Sequence, residues 1–267
     1  MLRDQSKDGP AKVIETTKWL KAVTEAVDRL VADRRRNAVT QIKQARMAAT
    51  AVYLRSDFTE DEKANILRCW ENVTFRIYGM FGKDARWAVG DYVRLAWSIV
   101  QGNLPADQVI KRLSSIGTAF PIDKAVENLR GADCYSGWAE ELRYFFHRYE
   151  ESLAQKAGQN FNNEQWNRIW EASAADSIEH IRPQSWWASM GLDDPHEIHR
   201  LGNLLILPPR LNSKLKDKSP GEKADAYRNT GLLVAQQVAG HLDSWSFKAT
   251  AERETVLLEW ALKEWAD

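Results

Sequence analysis

Apolar residues recur at three- and four-residue intervals through most of the first 165 positions, a pattern that predicts helix after helix. Gly9-Pro10 opens the first of them, proline being suited to a first helical turn, and Val13, Leu20, Val23, Val27, Leu30 and Val31 follow at helical spacing. Thr59 and Glu62 read as a capping box ahead of Ile66, Leu67, Trp70, Val73 and Ile77. Further helices are predicted over about 84–101, 105–115, 122–130 and 138–157, punctuated by Gly102, Gly117, Gly131 and Gly158. After Trp170 the pattern changes. S-I-E-H-I from Ser177 and N-L-L-I-L from Asn203 are short, aliphatic and bounded by Pro and Gly, which predicts two strands of a small hairpin with a long connection. Pro208-Pro209 closes the second strand, and a short helix is expected from about Leu211. Ser219-Pro220-Gly221-Glu222 starts another helix, and Ser246 to Trp265 is helical to the end. The expectation is a mainly α protein with a helical connector or scaffold over 1–165 and a distinct region over 166–267.

Composition narrows the functional classes. The chain has 267 residues, enough for one large domain or two ordinary ones, and 44% apolar residues to build cores. Lys+Arg and Asp+Glu each number 37, so the net charge is zero and any contact with DNA should be a local patch rather than a basic coat. The two cysteines, Cys69 and Cys134, exclude a Cys-rich zinc ribbon and argue against a disulfide framework, which fits a reducing, cytoplasmic setting. The N-terminus shows no apolar signal core and no window approaches 18 apolar residues, so no membrane is expected. Most of the twelve tryptophans read as core plugs, and the basic run Asp33 to Arg36 as a solvated helix end.

The chemistry concentrates between Ser177 and Lys218. S-I-E-H-I-R-P-Q-S is followed by L-G-N-L-L-I-L and then R-L-N-S-K, so that a His and two Asn, the latter nine residues apart, arrive in one segment. His180 is a residue that, when neutral, can take a proton from water. Glu179 and Asn212 offer oxygen donors suited to one Mg²⁺ or Mn²⁺ ion. Asn203 is placed to hold the His180 ring by a hydrogen bond, His199 to orient the loop or meet a phosphate, and Lys214, Lys216 and Lys218 to pair with phosphates. On a regular strand Glu179 and His180 point to opposite faces, so the strand must end or distort for both to serve one centre. The rival cluster His196-Glu197-Ile198-His199 lacks zinc-peptidase spacing. His147 and His241 have no partner motif and read as structural.

These residues have the order and spacing of an HNH site, a ββα-metal unit that cleaves phosphodiester bonds. They resemble the C-terminal HNH nuclease region of the GmrSD-type restriction endonucleases, a family that includes SspE-like phage-defence proteins. The likeness rests on I-E-H-I-x-P-Q-S, on L-G-N-L-L-I-L, where the family pattern is L-G-N-L-x-L-L, on the L-N-x-K helix start, on the pair Lys223 and Tyr227, and on Trp245, Phe247, Arg253, Leu257 and Trp260 in and before the closing helix. The HNH domain of the CRISPR effector nuclease is similar in its H-x-x-P-Q-S and Asn spacing but carries Asp where this chain has Glu179. The resemblance implies a small ββα unit embedded in helices, a metal-dependent endonuclease that nicks or cuts DNA, and a part in modification-dependent restriction. It implies metal ligation by Glu179 and Asn212, base catalysis by His180 and support from Asn203. It also implies a nucleotide-hydrolysing partner, as an N-terminal domain or separate subunit, since neither D-G-x-Q-R nor a Walker A motif occurs here. Two other classes remain open: a silent HNH-fold DNA-binding module, and a helical interaction scaffold.

Overall fold

A computed structural model describes residues 9–39, 43–102, 104–186 and 195–266. The described residues form two compact units, one within 9–78 and 82–119 and the other within 79–81 and 120–266.

The first unit is helical. It comprises α1 (Pro10–Ala32), α2 (Arg34–Ala38), α3 (Lys43–Tyr53), α4 (Glu60–Thr74), the first four residues of the π-helix Phe75–Met80 that continues α4, α5 (Val89–Val100) and α6 (Ala106–Gly117). Its core lies where α3 packs on α5 and α4 on α6, around buried Ile66, Leu67, Trp70, Tyr92, Ile99 and Leu113. The Thr59 capping box forms as expected: Glu62 accepts from the Thr59 amide at 2.8 Å and donates its own amide to Thr59 Oγ1 at 3.2 Å. Three expectations need correction. The helix predicted from 84 begins only at Val89, because the Asp84 carboxylate captures the Arg86 amide at 2.8 Å and holds the preceding residues in a turn. The apolar stripe of α1 is largely uncovered: Leu30 is buried, while Val13, Leu20 and Val31 are exposed. The basic run is not simply solvated. Asp33 caps α2, Arg35 meets the buried Glu71 at 3.2 Å and Arg36 donates to Tyr53 Oη at 2.8 Å.

The second unit contains α7 (Ile122–Leu129), α8 (Ala139–Ala157), α9 (Asn163–Trp170), α10 (Ala174–Ser177), β1 (Ile178–His180), β2 (Leu204–Ile206), α11 (Pro209–Leu215), α12 (Pro220–Arg228), α13 (Leu233–Ala239) and α14 (Phe247–Glu264). β1 and β2 pair antiparallel with Glu179 opposite Leu205 and His180 opposite Leu204. Amide bonds from Ile181 to Asn203 and from Leu207 to Ser177 continue the pairing at both ends, each 2.8 Å. The hairpin with its long connection, the helix after Pro208-Pro209 and the Ser219–Glu222 capping box are thus where the pattern placed them. The unit boundary is not: it falls at 119/120 rather than 165/166. α7 packs on α14, and α8 on α13 and β2. Periodicity identifies a helix but not the later element that will cover it.

α14 organises this unit. Trp260 and Trp265 pack edge-on to each other and against Phe145 of α8. Arg253, largely buried, donates to the carbonyls of Gly202 and Leu204 at 2.7 and 2.8 Å, and burial lowers its pKa to about 10. The turn bearing Gly202 lies so close to α14 that a Cβ there would overlap the Thr250 carbonyl. Gly202→Ala is expected to cost about 1–3 kcal/mol through forced separation, read as a lower urea midpoint at unchanged m-value. An unchanged midpoint would contradict this packing. Five tryptophans are buried, Trp70, Trp166, Trp245, Trp260 and Trp265, whereas Trp19, Trp87 and Trp97 of the first unit are exposed and Trp187 lies outside the described residues. The core therefore uses fewer of them than expected.

Candidate active site

The hairpin ends in a polar cleft of about 670 Å³ whose walls include Tyr135, Asp176, Glu179, His180, Gln184, Asn212, Ser213 and Lys216. β1 is only three residues long and stops at His180, so the adjacent Glu179 and His180 both border one cleft.

Glu179 is 2% exposed and is held through one oxygen. Oε1 meets Lys223 Nζ at 2.7 Å and accepts from Tyr227 Oη at 2.8 Å. Lys223 is wholly buried and also donates to the His180 carbonyl at 2.6 Å, so α12 grips the strand end at two successive residues. Burial raises the Glu179 carboxyl above its ordinary value even against Lys223, and lowers Lys223 for the same reason.

His180 is 6% exposed. Its Nε2 lies 3.0 Å from His199 Nδ1, and Gln184 Nε2 lies 3.2 Å from its Nδ1. An amide nitrogen can only donate, which makes His180 Nδ1 an acceptor and places the ring proton on Nε2, shared with His199. Tyr135 stacks on His199 and meets His180 edge-on. Burial, with His199 and Lys223 nearby, lowers the His180 pKa to about 3, so the ring is neutral at physiological pH. The unfolded chain regains the ordinary value of 6.5. As pH falls from 6.5 towards 3 the denatured state binds the extra proton, and the native state is destabilised by about 1.4 kcal/mol per pH unit from this residue. In chelator, the stability difference between the parent and His180→Ala should therefore narrow as pH drops from 7 to 4. A difference constant across that range would contradict the buried neutral ring.

Asn212 sits one helical turn into α11, with both amide hydrogens committed to the carbonyls of Asp176 and Ile178 at 2.9 Å each. This fixes the amide orientation and leaves Oδ1 without a protein partner among the described residues. Glu179 Oε2 likewise takes no hydrogen bond there. Among the described residues no three His, Cys, Asp or Glu side chains converge as a metal site. One carboxylate oxygen and one oriented amide oxygen bordering a polar, open cleft do fit a hard divalent cation whose other ligands are water and phosphate oxygens.

Asn203 does not reach the His180 ring, against the sequence expectation. It is 2% exposed; Nδ2 donates to the carbonyls of Arg182 and Ile198 at 3.1 and 2.8 Å, and Oδ1 accepts from the Arg182 amide at 3.0 Å. It clamps the two ends of the connection between the strands, and the ring is met by His199 instead. Lys216 lines the cleft, Lys214 lines a neighbouring groove, and Lys218 lines neither. Lys216 ends α11 at φ 34°, a strained backbone for a residue with a side chain. The His196 side chain lies outside the described residues. His147 is buried against Phe161, Trp166 and Trp170 and is structural as expected.

Residues 121–260, slightly more than half of the chain, match the family described as GmrSD restriction endonucleases, C-terminal domain. The chain belongs to this family. The GmrSD match coincides with the second compact unit and contains every residue of the cleft. GmrSD membership makes the chain a relative of restriction-type nucleases. No curated protein and no solved structure matches it. Among the described residues no helix is long and apolar enough to cross a membrane.

Proposed function

We propose that this GmrSD-type unit is an HNH nuclease that hydrolyses phosphodiester bonds in DNA. The observation that carries the reading is the meeting of Glu179, His180 and Asn212 in one cleft at the end of β1, with the Asn212 amide fixed by two backbone carbonyls. His180 is the general base. Gln184 yields its place at Nδ1 to a water, Nδ1 takes the water's proton as the oxygen attacks phosphorus, and the bond to the leaving oxygen breaks. Nε2–H remains on His199, which steadies the imidazolium as it forms. Burial keeps the ring neutral and able to accept a proton, and the negative phosphate entering the cleft favours the protonated ring that results. Lys216 is the cation placed to meet charge on the phosphate or the leaving oxygen.

Glu179 and Asn212 would hold one Mg²⁺ or Mn²⁺ ion, which supplies Lewis-acid stabilisation of the phosphate charge. Lys223 and Tyr227 keep the Glu179 carboxylate in place. Asn212→Ala is expected to raise the cation concentration for half-maximal nicking by about tenfold or more, since even outer groups of metal sites carry that weight. Identical metal dependence in parent and variant would contradict the assignment. The cellular role that fits is modification-dependent restriction against phage DNA, with a nucleotide-hydrolysing domain or subunit supplying recognition. The chain itself should then nick modified and unmodified plasmid alike.

A further inference from the structure

α11 separates two depressions of the second unit. Pro209, Asn212, Ser213 and Lys216, at spacings of three and four, face the cleft; Arg210 and Lys214, also four apart, face a groove of about 750 Å³ whose far side carries Gln165 and Arg168 of α9, the acidic Glu171 just after α9, and Asn229 beyond α12. The zero net charge of the chain hides where its cations lie. Residues 120–267 hold 17 Lys+Arg against 23 Asp+Glu, yet residues 209–218 carry Arg210, Lys214, Lys216 and Lys218 against Asp217 alone. Arg210 and Lys214 form no ion pair among the described residues, and like charges four apart on one helix repel by about 0.2–0.5 kcal/mol. An anion between them would turn that repulsion into attraction. Arg168 pairs with Glu164, an exposed partner that a phosphate can replace.

We infer that the groove lined by Arg168, Arg210 and Lys214 is a second DNA-binding subsite, a track for the phosphodiester backbone of the strand as it leaves the cleft over α11. The spacing fits. A helix with its side chains is about 10–12 Å across, so the groove meets the backbone a few nucleotides from the scissile phosphate. The contacts are to backbone, so they add affinity and register without sequence preference. The inference rests on the proposed nuclease reading for the identity of the ligand, and its test is separable from it.

The test is binding of a short fluorescent duplex by the full chain, in chelator so that no cutting occurs, over a series of salt concentrations. Arg168→Gln and Arg210→Gln should each weaken binding and lower the slope of log affinity against log salt by about 0.9, the loss of one phosphate contact. Arg210→Lys, which keeps the charge, should retain the parent slope, and the unfolding midpoints should match the parent. With metal restored, both Gln variants should nick with raised KM and unchanged kcat. Parent-like affinity and slope in both Gln variants would overturn the inference, even if the parent nicks DNA. Altered slopes in a chain that never nicks would support the groove and count against the nuclease reading alone.

Discussion

Replacing His180 by alanine is expected to slow plasmid nicking by about 10²–10⁴, the usual worth of a general base. Among the described residues the ring is the only group lining the cleft with an acceptor nitrogen whose opposite nitrogen is already fixed, by His199 at 3.0 Å. Its substitution leaves the hairpin intact, because the His180 backbone carbonyl, not the ring, carries the bond to Lys223. The variant should therefore keep the parent's circular dichroism spectrum and cooperative unfolding. It should also keep the parent's DNA affinity in chelator, which separates a lost base from a lost binding surface. A folded variant that nicks at the parent rate would remove His180 from the mechanism.

The second large effect concerns stability. Lys223→Met should cost about 3–5 kcal/mol, the penalty for leaving a buried charge without its partner. Lys223 is wholly buried, its partner Glu179 is 2% exposed, and the same ammonium satisfies the His180 carbonyl. Urea unfolding in chelator measures the loss. The double variant Lys223→Met with Glu179→Gln should recover part of it, because the uncompensated carboxylate is gone and the two sites share one contact. Additive losses in that cycle, or a single-variant loss below about 1 kcal/mol, would show that the pair is not the buried lock it forms here.

The parts legible in the sequence were those encoded locally. The two strands and the capping boxes at Thr59 and Ser219 each depend on residues within a few positions of one another. Glu179, His180 and Asn212 lie within one segment whose residue types announce proton transfer and hard-ligand chemistry, and the structure brings all three to one cleft. What was not legible depends on distant partners. Tyr135 stands 45 positions before His180 in a glycine-flanked loop, and reaches the ring because the Cys134 amide binds the His199 carbonyl at 3.0 Å. Lys223 and Tyr227, four apart on α12, share a helix face, but only the tertiary fold shows that this face closes on Glu179. Asn203 was expected at the ring. A side chain with two donors and two acceptor sites serves either a ring or a bent backbone, and the wide connection between the strands offered it backbone groups on both sides. The exposed stripe of α1 and the three exposed tryptophans of the first unit reflect the same limit, since spacing marks an apolar face without naming what covers it.

The most direct measurement of the central claim is the conversion of supercoiled plasmid to relaxed circles by the purified parent chain, with Mg²⁺ or Mn²⁺ and with excess chelator. Relaxed or linear product is expected with either cation, abolished by chelator and restored when the cation is returned. No conversion under any condition, or conversion undiminished in chelator, would contradict it.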